Sequence, residues 1–78
     1  MEHIATFYTH LGALRFHRKA AARGDEAVMM PVPRRLSASC GTCVKFSGEF
    51  TPELAVEDLE AVYLREVEGY REVFRAEE

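Results

Sequence analysis

Pro31-Val32-Pro33 is the feature that most limits how this chain can fold. Each proline fixes its own φ, removes a backbone donor and holds the residue before it in extended geometry. No helix runs through such a segment, and a central strand cannot include it. The chain is therefore split into two halves joined by a stiff, extended connection. The residues just past the prolines are dense in chemistry: Arg34, Arg35, Leu36, Ser37, Ala38 and Ser39 lead into Cys40-Gly41-Thr42-Cys43. Residues 30–46 hold both cysteines of the chain and two of its three prolines.

Before the prolines, residues 3–8 (His-Ile-Ala-Thr-Phe-Tyr) are rich in β-branched and aromatic side chains and read as a strand. Thr9 is suited to cap a helix over residues 10–23, with Leu11, Leu14, Ala21 and either His17 or Arg18 expected on its inner side. Arg15, Arg18, Lys19 and Arg23 supply the wet side, and Gly24 stands where a left-handed cap is wanted. Residues 26–30 read as a second strand closed by Pro31, with Met29 and Met30 as core filler.

After the prolines, residues 34–41 lack periodicity and read as loop, and residues 42–46 as a third strand. Thr51-Pro52-Glu53 has the composition of a helix start. Leu54, Ala55, Leu59, Val62 and Tyr63 continue it as an apolar stripe to about residue 65, with the acids of residues 53–66 on its solvated side. Gly69 breaks that pattern, and residues 70–75 read as a fourth strand at a sheet edge. This order predicts one small α+β domain over residues 1–78. Its expected form is a ferredoxin-like βαββαβ sandwich, a four-stranded antiparallel sheet with two helices on one face.

A chain of 78 residues buries about 60–65% of its unfolded surface, and 47% hydrophobic residues suffice for a core. The net charge of −3 argues against nucleic acid as a partner. No apolar run approaches the roughly 18 residues of a membrane span, and no signal peptide is evident, so a cytoplasmic location is expected. A small core and an open sheet edge together favour association, such as a homodimer.

Cys40 and Cys43 have the spacing of a redox or metal pair. In an extended strand their Cα atoms would lie roughly 10 Å apart. A disulfide needs about 4.4–6.8 Å, so the pair closes only if the chain turns, and Gly41 is the residue that permits it. In thioredoxin-like proteins the pair opens a helix whose amino end activates the thiol; here a strand comes next, and that source is missing. Arg34 and Arg35, with Lys45 beyond, are the substitutes that would favour a thiolate at Cys40. Ser37, Ser39, Thr42 and the amides around Gly41 could form an anion-binding concavity. Zinc needs about four ligands and one CxxC gives two; His3, His10 and His17 have no paired spacing to it, so no metal or other cofactor is expected. His10, at the helix start, is the best functional candidate among the histidines.

Ile4-Ala5-Thr6-Phe7, Met30-Pro31-Val32-Pro33-Arg34, Leu36-Ser37, Ser39-Cys40-Gly41-Thr42-Cys43 and Phe46 together resemble the small selenium/sulfur carrier protein-like family. The resemblance covers most of the chain and departs near residues 47–52 and in the Glu-rich end. It implies a cytosolic carrier of sulfur or selenium, an accessory protein more than a stand-alone enzyme. A cysteine desulfurase or small sulfurtransferase-like protein would be its partner. Cys40 and Cys43 would be the carrier residues, shaped by Arg34, Ser37 and Ser39. Two alternatives stay open: a thiol–disulfide redox module, and a binding domain whose CxxC is structural or metal-binding.

Overall fold

The computed structural model describes residues 1–77. Along the chain come β1 (His3–Phe7), α1 (His10–Arg23), β2 (Ala27–Pro31), β3 (Thr42–Phe46), a 3-10 turn at Pro52–Leu54, β4 (Leu59–Glu66) and β5 (Gly69–Arg75). The strands form one antiparallel sheet in the order β2-β3-β1-β4-β5. No helix among the described residues is long and apolar enough to cross a membrane.

α1 forms where its caps predict. Thr9 Oγ1 accepts the Gly12 N–H at 3.1 Å, and Gly24 takes the left-handed conformation (φ 100°) that ends the helix. Its inner face differs from the expected leucine stripe. Gly12, Ala13, Phe16 and Ala20 are buried, while Leu11 is 51% exposed and Leu14 half-buried. Three small residues let the helix lie close to the sheet, and Phe16 fills the space between. Its ring meets Phe7 and Phe46 edge-on at 5.4 and 5.0 Å.

The ferredoxin-like expectation fails in the second half. There is one helix, not two, and the sheet has five strands, not four. Thr51-Pro52-Glu53 does open helical geometry, but only for the 3-10 turn, and Ala55 is already extended (φ −60°, ψ 136°). The stripe taken for a helix is mostly strand β4. Leu59 and Val62, three residues apart, both reach the core because the ladder slips at Glu60: Phe7 faces Leu59, while Thr6 faces Ala61. A β-bulge inserts one residue into the strand period, and the resulting spacing imitates a helix. The continuous apolar run Ala61-Val62-Tyr63-Leu64 fits a strand covered on both faces, and that burial outweighs the helix-start signal.

Every residue of β1 is buried, so both faces of the sheet centre are covered. On one face, α1 packs over Ala5, Phe7, Val44, Phe46 and Val62, with Phe50, Ala55 and Val56 of the preceding loop alongside. On the other face lie Ile4, Thr6, Cys43 and Ala61, each at most 2% exposed. No second helix covers them. The segment from residue 32 to 41 joins adjacent strands, yet it is far longer than a hairpin of two to five residues needs. Its hydrogen bonds reach β1, β4 and the β4–β5 turn, so it runs across this face of the sheet. The stiff proline segment is a layer of the fold.

Candidate functional site

The CGTC segment wraps over the carboxyl end of β1. The Cys40 N–H donates to the Phe7 carbonyl at 3.1 Å, and the Val32 N–H donates to the Gly41 carbonyl at 3.0 Å. From Thr42 onward the chain is in β3, and successive side chains take opposite faces. Thr42 falls on the helix side, where its Oγ1 lies 3.4 Å from His10 Nδ1. Cys43 falls on the other side, opposite Thr6 on β1 and Met30 on β2.

The two thiols therefore differ. Cys40 is half-buried, before the strand begins. Cys43 has no exposed surface, and its Sγ–H has the Pro31 carbonyl 3.7 Å away. Burial pushes the Cys43 thiol up to about 11, because the thiolate has no water and no cation to stabilise it there.

The chain bends over residues 39–41, as expected, but Gly41 makes the bend without a left-handed backbone. The described glycines with left-handed φ are Gly24 and Gly69. Apart from its chain neighbours, a side chain on Gly41 would meet nothing within 4 Å, so neither packing against the rest of the fold nor backbone conformation requires glycine.

The other expected site residues are spread along the loop. Arg35 Nη1 donates to the Glu68 carbonyl at 3.0 Å, at the β4–β5 turn. Arg34 and Ser37 are exposed, and neither bonds another group among the described residues. Ser39 is exposed too, but it is the one tied back to the sheet. Its N–H and Oγ–H donate to the two carboxylate oxygens of Glu60, at 3.0 and 2.9 Å.

Glu60 is a residue the sequence reading missed, having placed it on a solvated helix face. It sits at the β4 bulge, 9% exposed, with its own carbonyl accepting the Ala76 N–H at 2.9 Å. The signal was available: Glu60 is the lone charge within the apolar run of residues 59–64. The helix start also lies nearer than the sequence suggests. α1 precedes the cysteines in the chain, but its first residue, His10, is beside Thr42 in space. Among the described residues no three of His, Cys, Asp and Glu are gathered as a metal ion would need.

The fold and site define a small α+β protein that presents one accessible thiol on a braced loop, with a second thiol sealed beneath. Residues 2–62 match the family described as Putative Se/S carrier protein-like, and the chain belongs to that family. The match takes in the helix, the proline loop, both cysteines and Glu60, and ends within β4. No curated protein and no solved structure matches the chain.

Proposed function

We propose that the protein carries sulfur or selenium on Cys40, as a persulfide or its selenium equivalent. The observation that carries this reading is the unequal placement of the two thiols. A carrier must expose its loaded atom to a donor and then to an acceptor, and only Cys40 has surface to offer. The thiolate is the nucleophile in such exchanges. The Cys40 thiolate attacks the outer sulfur of a donor persulfide, the donor's S–S bond breaks, and the donor cysteine leaves as thiolate. The persulfide is then on Cys40.

The surroundings suit that step. Open space at Gly41 admits the donor's cysteine, and the backbone bonds of Ser39 and Cys40 fix the loop that presents the thiol. His10 and Thr42 border the approach. The partner proposed is a cysteine desulfurase or a small sulfurtransferase-like protein, met in the cytoplasm.

Incubation with a desulfurase and cysteine, followed by intact mass measurement, tests this. Wild type and Cys43→Ser are expected to gain one sulfur atom, and Cys40→Ser none. A wild type that never gains the atom, or a Cys40→Ser variant that loads as well as wild type, refutes the assignment.

A further inference from the structure

We infer that the Glu60–Ser39 pair is a latch that keeps Cys43 away from the cargo on Cys40, and that Glu60 is a positioning residue for discharge. The inference rests on the carrier reading. A persulfide on Cys40 has a hazard built into its own motif. If the Cys43 sulfur attacks the inner sulfur of Cys40–S–SH, the bond to the outer sulfur breaks. A Cys40–Cys43 disulfide forms, the Cys43 proton is released, and the outer sulfur leaves with the bonding electrons as hydrosulfide. The cargo is then lost as sulfide, and a thiol reductant must reset the disulfide. A carrier with a CxxC has to control when this happens.

The geometry shows where the control lies. Cys43 is fixed within β3, in a ladder with β1 on one side and β2 on the other. It cannot approach Cys40 without unzipping two strands. Contact between the sulfurs therefore requires the Cys40 side to move. That side is held by the Cys40 N–H on Phe7, the Gly41 carbonyl on Val32, and the two bonds from Ser39 to Glu60. Of these anchors only the last is made by a side chain that selection can tune independently of the sheet.

Glu60 is also an expensive choice for a plain brace. It is nearly buried, and it takes part in none of the ion pairs among the described residues. Such a carboxylate is tolerable only while its hydrogen bonds are kept. A bulge, which re-aims side chains at sites of function, brings it to Ser39, the residue next to the thiol. Both oxygens are spent on that one residue. A partner that displaced Ser39 would free the loop and let Cys43 complete the discharge.

Two measurements test the latch, one of which needs no cargo. In a Cys40→Ser background, the native rate of Cys43 alkylation is compared among otherwise wild-type, Glu60→Ala, Glu60→Gln and Ser39→Ala proteins. Val62→Ala, a core change on the same strand, is the control for general loosening. Loss of these charge-assisted bonds is expected to raise labelling about tenfold for Glu60→Ala, in the same direction but less for Ser39→Ala, and least for Glu60→Gln, which keeps an acceptor. In persulfide-loaded protein, Glu60→Ala is expected to release sulfide faster, and Cys43→Ser to abolish that gain. Labelling in Glu60→Ala no faster than in Val62→Ala of matched stability overturns the latch. If Glu60→Ala does not fold, Ser39→Ala decides: unchanged labelling there overturns it equally. Failure of wild type to load falls on the carrier reading, and the labelling arm still judges the latch.

Discussion

The sharpest consequence of the structure concerns the reactivity of Cys43 taken alone, in Cys40→Ser protein. Two effects suppress it. With a pKa of about 11, the thiol is ionised at pH 8 to about one part in a thousand, against about one in ten for an ordinary value of 9.0. That alone slows alkylation about 100-fold. Because Cys43 has no exposed surface, reagent also has to wait for an opening of the fold, which adds to the slowing. The expected result is a native rate at least about 100-fold below that of the same thiol in urea, climbing about tenfold per pH unit up to pH 10. The same shift has a stability consequence of definite sign. The folded state holds the Cys43 proton more tightly than the unfolded chain does. The stabilisation is complete below the unfolded value near 9.0 and is lost as pH rises through about 11. Urea titrations at pH 8 and pH 11 should show about 2–3 kcal/mol more loss for wild type than for Cys43→Ala, where lysine and tyrosine ionisation is shared. A native Cys43 that alkylates within a few-fold of its denatured rate, or equal alkaline losses in the two proteins, would refute the reasoning.

Phe16→Ala removes the ring that joins Phe7 and Phe46 and should cost about 3–5 kcal/mol by urea unfolding, enough to leave a domain of this size largely unfolded. Gly12→Ala and Gly41→Ala make a matched pair. At Gly12 an added Cβ would lie 2.6 Å from Asp58 Cβ, so a loss of about 1–3 kcal/mol is expected; at Gly41 the change should stay within about 0.5 kcal/mol while slowing loading by the donor. His3 is 5% exposed, stacked on Phe46 at 5.3 Å, and its Nδ1 has no partner. Burial, reinforced by the N-terminal ammonium and Arg23 against the Gly48 carbonyl and Glu49, lowers its pKa. Its neutral form is favoured by folding, so that stabilisation is present above the usual 6.5 and lost as pH falls through the lower folded value. His3→Phe should flatten the fall in urea midpoint on the acid side, and an unchanged acid slope would count against the assignment.

The first half of the fold is legible because its signals are local. Thr9, Gly24 and Pro31 act on their own turns, and they set α1 and β2 as expected. The second half misleads for a physical reason. A bulge at Glu60 turns the two-residue period of β4 into a spacing of three, and sequence alone cannot tell that from a helix. The site is half legible. The cysteines and their loop stand out by composition, but pairing of Ser39 with Glu60, 21 residues on, depends on the segment from residue 32 crossing the sheet. That crossing answers a need visible only in three dimensions: with no second helix, the face holding Thr6 and Cys43 has nothing else to cover it.

The position of the second cysteine in a strand is what gives this CxxC its character. In a helix, residues three apart share a face and their sulfurs are neighbours, so the pair closes readily. Here the strand begins between the two cysteines, and β alternation together with the sheet ladder commits Cys43 to the covered face. The pair is thereby divided into a half-buried thiol before the strand and a fully buried one within it. Pro31, at the end of β2, and Pro33 stiffen the start of the loop that covers Cys43. Replacing Pro31 and Pro33 together by alanine should therefore speed Cys43 labelling as removal of Glu60 does, since both loosen one cover. Labelling that responds to Glu60→Ala but not to the double proline change would place the whole restraint in the carboxylate, and would deny the prolines any part in guarding the buried thiol.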